Sequence, residues 1–442
     1  MEIKLSDHFN YRRLIRFTLP SIAMNLCASI YTIVDGFFVS NYAGKLPFAA
    51  INIIFPFIMI LTTVGFMFGT GGSALVSKTM GEGKIKKANE IFSLLIYTSI
   101  GLGIIMAFLG YYFTPMVCAY LGATGQTLKY AIQYGHILMC CLPVYILQFE
   151  FQSFVIAAQK PNLGLIFSII AGITNMVGDF VLVGVLKMGL VGAALATASS
   201  ITIGGLLPLI YFIRPNSSIL RLGKTHFEIQ PIIKTMTNGI SELLSNISMS
   251  LVSVLYNIQL LKYLGEDGVA AYGVVMYVCM IFYSIYVGYV MGSAPIVSYH
   301  YGANNHDELK NLYKKSICII LISSIAMLLS SELLAKPLSM IYVSYDEGLL
   351  ELTVHAMKVY GLVYLFAGFN IFASSFFTAL NDGLTSGIIS SIRTLVFQLI
   401  CIMVLPLLID TEGIWISSVV AEALSIAVAF YFIKTKRKIY HY

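Results

Sequence analysis

Four polar residues with the chemistry to hold a small cation stand inside long apolar stretches. Asn175 and Asp179 are four residues apart, so a helix there presents an amide and a carboxyl on one face. Asp35 and Thr197 fall in two other apolar stretches, 14–39 and 190–213. At about 1.5 Å per helical residue, Asp35 lies about 8 Å, and Asp179 and Thr197 about 10 Å, from the outer end of their stretches. Carboxylate, amide and hydroxyl oxygens suit a hard cation such as sodium. Two carboxylates at one level also repel each other, so one of them can load and release a proton. The alternative is that both aspartates simply reach the outer headgroups.

Other charges interrupt the apolar stretches: Glu150, Glu242, Glu332, Arg393 and Glu422. A charge at mid-bilayer costs about 2.5–3.5 kcal/mol, so it is expected to face a partner or a wet cavity. Glu242, near Gly239, reads equally as a carboxylate favoured by the start of a helix. Arg393 is expected to line a cavity or pair with a carboxylate of the C-terminal half. Gln148 and Gln152 flank Glu150, and with Glu242, Asn370 and Arg393 they are candidates to line a substrate cavity. Pro20 lies in the same stretch as Asp35, where its missing backbone donor permits a bend.

These residues need helices to position them. Of 442 residues, 58% are hydrophobic and 11% charged, against about 25% charged in soluble domains. Aqueous enzymes, disordered scaffolds and nucleic-acid binders are excluded together. Apolar runs long enough for a bilayer, about 20 residues, occur at 14–39, 48–77, 91–113, 131–157, 163–185, 190–213, 235–262, 269–299, 315–338, 354–380, 384–409 and 413–433. With both termini inside, 20 Lys and Arg fall on the cytoplasmic side and 6 outside, with Arg393 in a span. That asymmetry favours this orientation, and it accounts for the net charge of +6 without a nucleic-acid partner. The longest connection, 214–234, divides an N-terminal half, 1–213, from a C-terminal half, 235–442. The seven cysteines form no CxxC, and His300 and His306, the closest histidines, are expected in a polar loop, so no disulfide framework or structural metal site is expected.

The chain repeats itself at an offset of 221 residues: Asn25 falls on Asn246, Ser29 on Ser250, Gly44 on Gly265, Gly71 on Gly292, Gly81 on Gly302 and Gly192 on Gly413. Each half has an even number of spans, so both enter the membrane the same way. Transporters built from such parallel repeats bind substrate between the halves and rock one against the other. The fold expected is an all-α polytopic membrane protein of twelve transmembrane helices, in two parallel six-helix repeats around a central cavity.

Pro20 fifteen residues before Asp35, the Asn175-x-x-x-Asp179 pair, Thr197 eighteen residues further on, the double repeat and the Gly-rich ends of spans two and eight together resemble the MATE family, the multidrug and toxic compound extrusion antiporters. The resemblance covers essentially the whole chain. It implies export of organic cations or amphipathic compounds against inward flow of H+ or Na+, with no other cofactor and no enzymatic step. It implies that Asp35, Asn175, Asp179 and Thr197 form the N-lobe cation network, with Pro20 as a bending point. One branch of the family has a second acidic site in the C-lobe; here span ten offers Asn370 and no carboxylate in its apolar middle, which places coupling in the N-lobe. A monomer in a bacterial plasma membrane is expected. The competing readings are a flippase for lipid-linked precursors, disfavoured by the single intramembrane arginine, and a receptor or channel, disfavoured by the repeat.

Overall fold

A computed structural model describes residues 3–442. Its helices are α1 Tyr11–Ala43, α2 Lys45–Gly81, α3 Ile85–Tyr120, α4 Gly125–Cys140, α5 Leu142–Ala157, α6 Pro161–Val185, α7 Gly189–Ile213, α8 Ile229–Gly302, α9 His306–Val343, α10 Glu347–Gly361, α11 Tyr364–Ala379 and α12 Gly383–Tyr440. Eight are long and apolar enough to cross a bilayer; α4 with α5 and α10 with α11 each form one span, bent by 62° and 47°. The first bend falls where Pro143 enters the first turn of α5, a position proline tolerates because its missing donor has no partner there. Two helices are each two spans, α8 broken at Gly265 and α12 at Ile409 and Asp410. The twelve spans follow the apolar runs of the sequence.

The repeat is visible in the turns. Residues forced to positive φ recur in the two halves at offsets of 221 or 222: Gly44 with Gly265, Gly83 with Asn304, Gln159 with Asn381, and Gly189 with Asp410. It is also visible where the halves meet. A Cβ on Gly81 would overlap the Tyr299 carbonyl, and one on Gly302 would overlap the Lys78 carbonyl. Lys78 and Tyr299 are themselves 221 residues apart, so the contact is reciprocal, as a two-fold arrangement requires. Gly71 packs in the same way on Thr235 and Gly239. These crossings gather at the end of the bundle where Lys78, Lys84, Lys310 and Lys314 lie. Away from that basic end, Gly36 and Gly273 have nothing within 4 Å of where a Cβ would stand. The halves are wedged together at the basic end.

The wedge gives a direct expectation. Gly302→Leu overpacks a backbone crossing, a change that costs about 1–3 kcal/mol, and it should shift the ensemble toward a form open at the basic end. Spin labels at exposed Lys84 and Lys310 should report a longer distance in the variant. An unchanged distance would show that the crossing does not hold the end shut.

A short N-terminal strap, invisible to hydropathy, crosses the same end. Leu5 and Phe9 are fully buried. The Phe9 N–H donates to Glu308 Oε1 at 2.9 Å, and its carbonyl accepts from Asn311 Nδ2 at 2.9 Å and Lys315 Nζ at 2.8 Å. His8 Nδ1 lies 2.6 Å from Glu308 Oε2. The strap therefore ties α1, in the first half, to α9 in the second.

Two expectations of the sequence are corrected here. His300 is not in a polar loop: it lies in the last turn of α8, 2% exposed, with its ring against Phe9. The connection between the halves is shorter than 214–234, because α8 already begins at Ile229. Pro231 near the start of that helix marks it, but the flanking Gln230 and Lys234 lowered the apolar signal.

Candidate functional site

The polar site of the N-terminal half is built where two helices leave regular α geometry. α1 runs as an α-helix from Tyr11 to Phe38 and ends in a π-helical turn, Val39–Ala43, just beyond Asp35. α6 changes to π-helix at Asp179 itself, over Asp179–Val185. A π turn inserts one residue, rotates the face that follows, and is frequent at functional sites. Pro20 lies inside the regular part of α1, buried, with no helical residue around it displaced from α geometry.

The structure brings the four sequence-predicted residues together. Asp179 is fully buried and Asn175 is 2% exposed. Asn175 Nδ2 donates to Thr197 Oγ1 at 3.5 Å. Asp35 and Asp179 are direct side-chain neighbours. Among the described residues of this cluster, four buried oxygens find no hydrogen-bond donor: Asp35 Oδ1, Asn175 Oδ1 and both Asp179 carboxylate oxygens. A buried polar atom left without a partner costs about 1–3 kcal/mol, and more when charged. Acceptors clustered in this way, with no basic side chain beside them, fit a proton or a small oxygen-seeking cation.

Three tyrosines close around these groups, and sequence reasoning missed them. Tyr134 sits against the Thr197 hydroxyl and near both aspartates, while Tyr31 and Tyr145 face Asp35. Tyr31 could have been found, since it lies four residues before Asp35 and hence on its helix face. Tyr134 and Tyr145 could not, because the bend between α4 and α5 sets where they point.

The remaining candidates do not join this site. Gln148 and Gln152 line a small cavity of about 20 Å³ within the N-terminal half, together with Met24, Phe151 and Pro208. That is room for about one water molecule, not for an organic substrate. Asn370 is fully buried and donates through Nδ2 to the Glu422 backbone carbonyl at 2.8 Å and to Glu422 Oε2 at 2.6 Å. Arg393 does pair with a carboxylate of its own half: its Nε lies 2.8 Å from Glu422 Oε1 and 3.0 Å from Oε2. It stands in a third π-helical turn, Ile392–Phe397, with Tyr283 alongside. Glu242 is not a helix-start carboxylate, because α8 begins thirteen residues earlier at Ile229; its electrostatic neighbour is Arg393. Among the described residues no cluster of His, Cys, Asp and Glu has the make-up of a metal centre.

Comparison with known proteins identifies the architecture. The MatE family model matches the chain twice, over residues 20–181 and 243–404, once in each half. The multidrug export protein MepA of Staphylococcus haemolyticus (strain JCSC1435) is 29% identical over 317 residues, 71% of this chain and 68% of that one. MepA of Staphylococcus aureus (strain MRSA252) is 24% identical over 417 residues, 94% of this chain and 91% of its own. A MATE protein crystallised in complex with MaL6 superposes with a TM-score of 0.93 at 20% identity, over 98% of both chains, a likeness of fold. With its family match repeated in both halves and its twelve spans, the chain belongs to the MatE family of membrane transporters.

Proposed function

We propose that this chain is a multidrug exporter of the bacterial plasma membrane, a monomer with both termini in the cytoplasm. It exchanges amphipathic organic cations for H+ or Na+ by alternating access. The observation that carries the coupling site is the set of four partnerless acceptor oxygens on Asp35, Asn175 and Asp179. Two buried carboxylates side by side attract a cation and resist holding two negative charges together. Loading a proton or sodium there removes negative charge from the N-terminal half. Helix α1 carries Asp35 and also forms part of the crossing at the basic end, where Gly292 packs on Thr18, so ion loading and lobe movement share one helix. Pro20 leaves the Arg16 carbonyl without its helical donor and lets that helix bend. With the basic end in the cytoplasm, the wedged arrangement is the outward-facing state.

Export of a substrate with an anionic headgroup is disfavoured by the pairing of Arg393 with Glu422. That arginine is neutralised internally and is not free to receive a phosphate.

Energetics bound the stoichiometry. One charge crossing about 100 mV is worth about 2.3 kcal/mol, but one proton exchanged for one monovalent cation moves no net charge. Only the pH difference then drives export, at about 1.4 kcal/mol per unit. Purified protein in liposomes, given an imposed pH or sodium gradient, should extrude a fluorescent organic cation. Equilibrium drug affinity should fall as the coupling ion is raised, and linkage requires the drug to weaken ion binding by the same factor. Efflux indifferent to both gradients, or an affinity unchanged by both ions, would remove ion antiport from the account.

A further inference from the structure

The basic end carries a groove that the transport cycle described above does not use. It lies between the N-terminal strap and the start of α1, has a volume of about 860 Å³, and is lined by Lys4, Asp7, Asn10, Arg12, Arg13 and Arg16. All four cations are exposed, and among the described residues none of them has an ion-pair partner. The single carboxylate in the groove is engaged locally: Asp7 Oδ2 accepts the Lys4 backbone N–H at 3.2 Å. Asn10 caps α1 through a 2.8 Å bond to the Arg13 N–H, so the positive end of the helix dipole opens into the same space. Arg13 is held there by its Nη1 donating to the His8 carbonyl at 3.1 Å.

Positive residues near a span end ordinarily signal topology alone. This cluster differs in converging on one concavity and in what continues from it. Arg12 and Arg16 are one turn apart on α1, and each has an exposed aliphatic residue three positions further along: Ile15 is 45% exposed and Leu19 56%. Residues three apart on a helix are surface neighbours. A phosphate in the groove would thus have an apolar track leading from it into the membrane-spanning part of the helix. A free phosphate or a nucleic acid has no use for that track. We propose that the groove formed by Lys4, Arg12, Arg13 and Arg16 is a binding site for the headgroup of an anionic phospholipid, whose acyl chain runs along Ile15 and Leu19.

The site has a mechanical setting. One wall is the strap, and the other half of the protein grips that strap through Glu308, Asn311 and Lys315. A headgroup seated there would hold the strap against α1 at the end where the halves are wedged.

Native mass spectrometry of the full-length protein, titrated with phosphatidylglycerol or phosphatidylcholine, tests the site. The first phosphatidylglycerol should bind Arg12→Gln/Arg16→Gln about 30-fold more weakly than wild type, since each arginine near an anionic surface contributes a comparable share. Phosphatidylcholine should bind both alike. Lys434→Gln/Lys438→Gln removes the same charge from exposed positions at the far end of α12 and should leave the phosphatidylglycerol affinity unchanged. Lys4→Gln, on the strap and outside the helix, should weaken it about fivefold, which keeps the test open if the double arginine variant does not fold. Equal losses in the arginine and lysine pairs would reduce the effect to general attraction and overturn the site. Undiminished binding to the arginine pair or to Lys4→Gln would overturn it as well. Displacement of the lipid by excess inorganic phosphate would assign the groove to free phosphate and overturn the lipid.

Discussion

Asp179→Asn is expected to abolish drug export while the protein accumulates in the membrane at its normal level. Asparagine has the size of aspartate but carries no charge, so a fully buried position gains no desolvation cost. What disappears is the charge proposed to pair with the coupling ion, and the new amide can donate to Asp35, mimicking a permanently loaded site. Removing one partner of a buried ion contact costs about 3–5 kcal/mol, more than a hundredfold in ion affinity. Asp35→Asn should behave alike, because the two carboxyls are direct neighbours. Thr197→Ala removes a neutral hydroxyl that meets Asn175 at 3.5 Å and Tyr134, and should weaken coupling about fivefold. Efflux assays in cells, scaled to the amount of protein in membranes, check the series. Wild-type resistance in either aspartate variant would exclude this site from coupling.

Much of that site could be read before the structure, for a physical reason. Depth in a membrane is counted along the chain from the span ends, and a residue four positions away shares a helix face, so Asp35, Asn175, Asp179 and Thr197 could be placed at one level. The spans followed from hydropathy, and the repeat from glycines such as Gly44 and Gly265 that both prove to need positive φ. What could not be read is rotation about the helix axes. The π-helical turns at Val39–Ala43, Asp179–Val185 and Ile392–Phe397 re-aim the side chains beside them, and nothing in residue type announces them. Glu422 stands out in sequence as a charge inside an apolar stretch, but its partner cannot be read there, because Arg393 sits 29 residues away on another span. The strap of residues 3–10 was illegible for the opposite reason: it is too short and polar for hydropathy, and its burial depends on Glu308 and Asn311, some 300 residues distant.

That Arg393–Glu422 pair sets the second large expectation, on stability. Arg393→Met should lower the stability of the purified protein by about 3–5 kcal/mol, because it leaves a buried carboxylate without its cation. The Arg393 side chain is 11% exposed and that of Glu422 3%, so water cannot replace the lost partner. Asn370 would remain, with one bond of 2.6 Å to Glu422 Oε2, too little to hold a full charge. Removing both charges reverses the argument. Arg393→Met/Glu422→Leu abolishes the desolvation cost of both ions, and replacements of this kind are often neutral or stabilising. The residual cost lies with the Asn370 amide, whose Nδ2 keeps the Glu422 backbone carbonyl at 2.8 Å. The double variant should therefore unfold close to the wild-type temperature while Arg393→Met unfolds well below it, a coupling that a double-mutant cycle measures directly. Thermal unfolding in detergent gives the readout. A single variant as stable as wild type, or a double variant no better than the single, would show that the pair does not brace the C-terminal half. Efflux by the double variant then separates two roles: a scaffold pair leaves transport intact once stability is restored, whereas an arginine needed to balance Glu242, its electrostatic neighbour, leaves a stable protein that no longer exports.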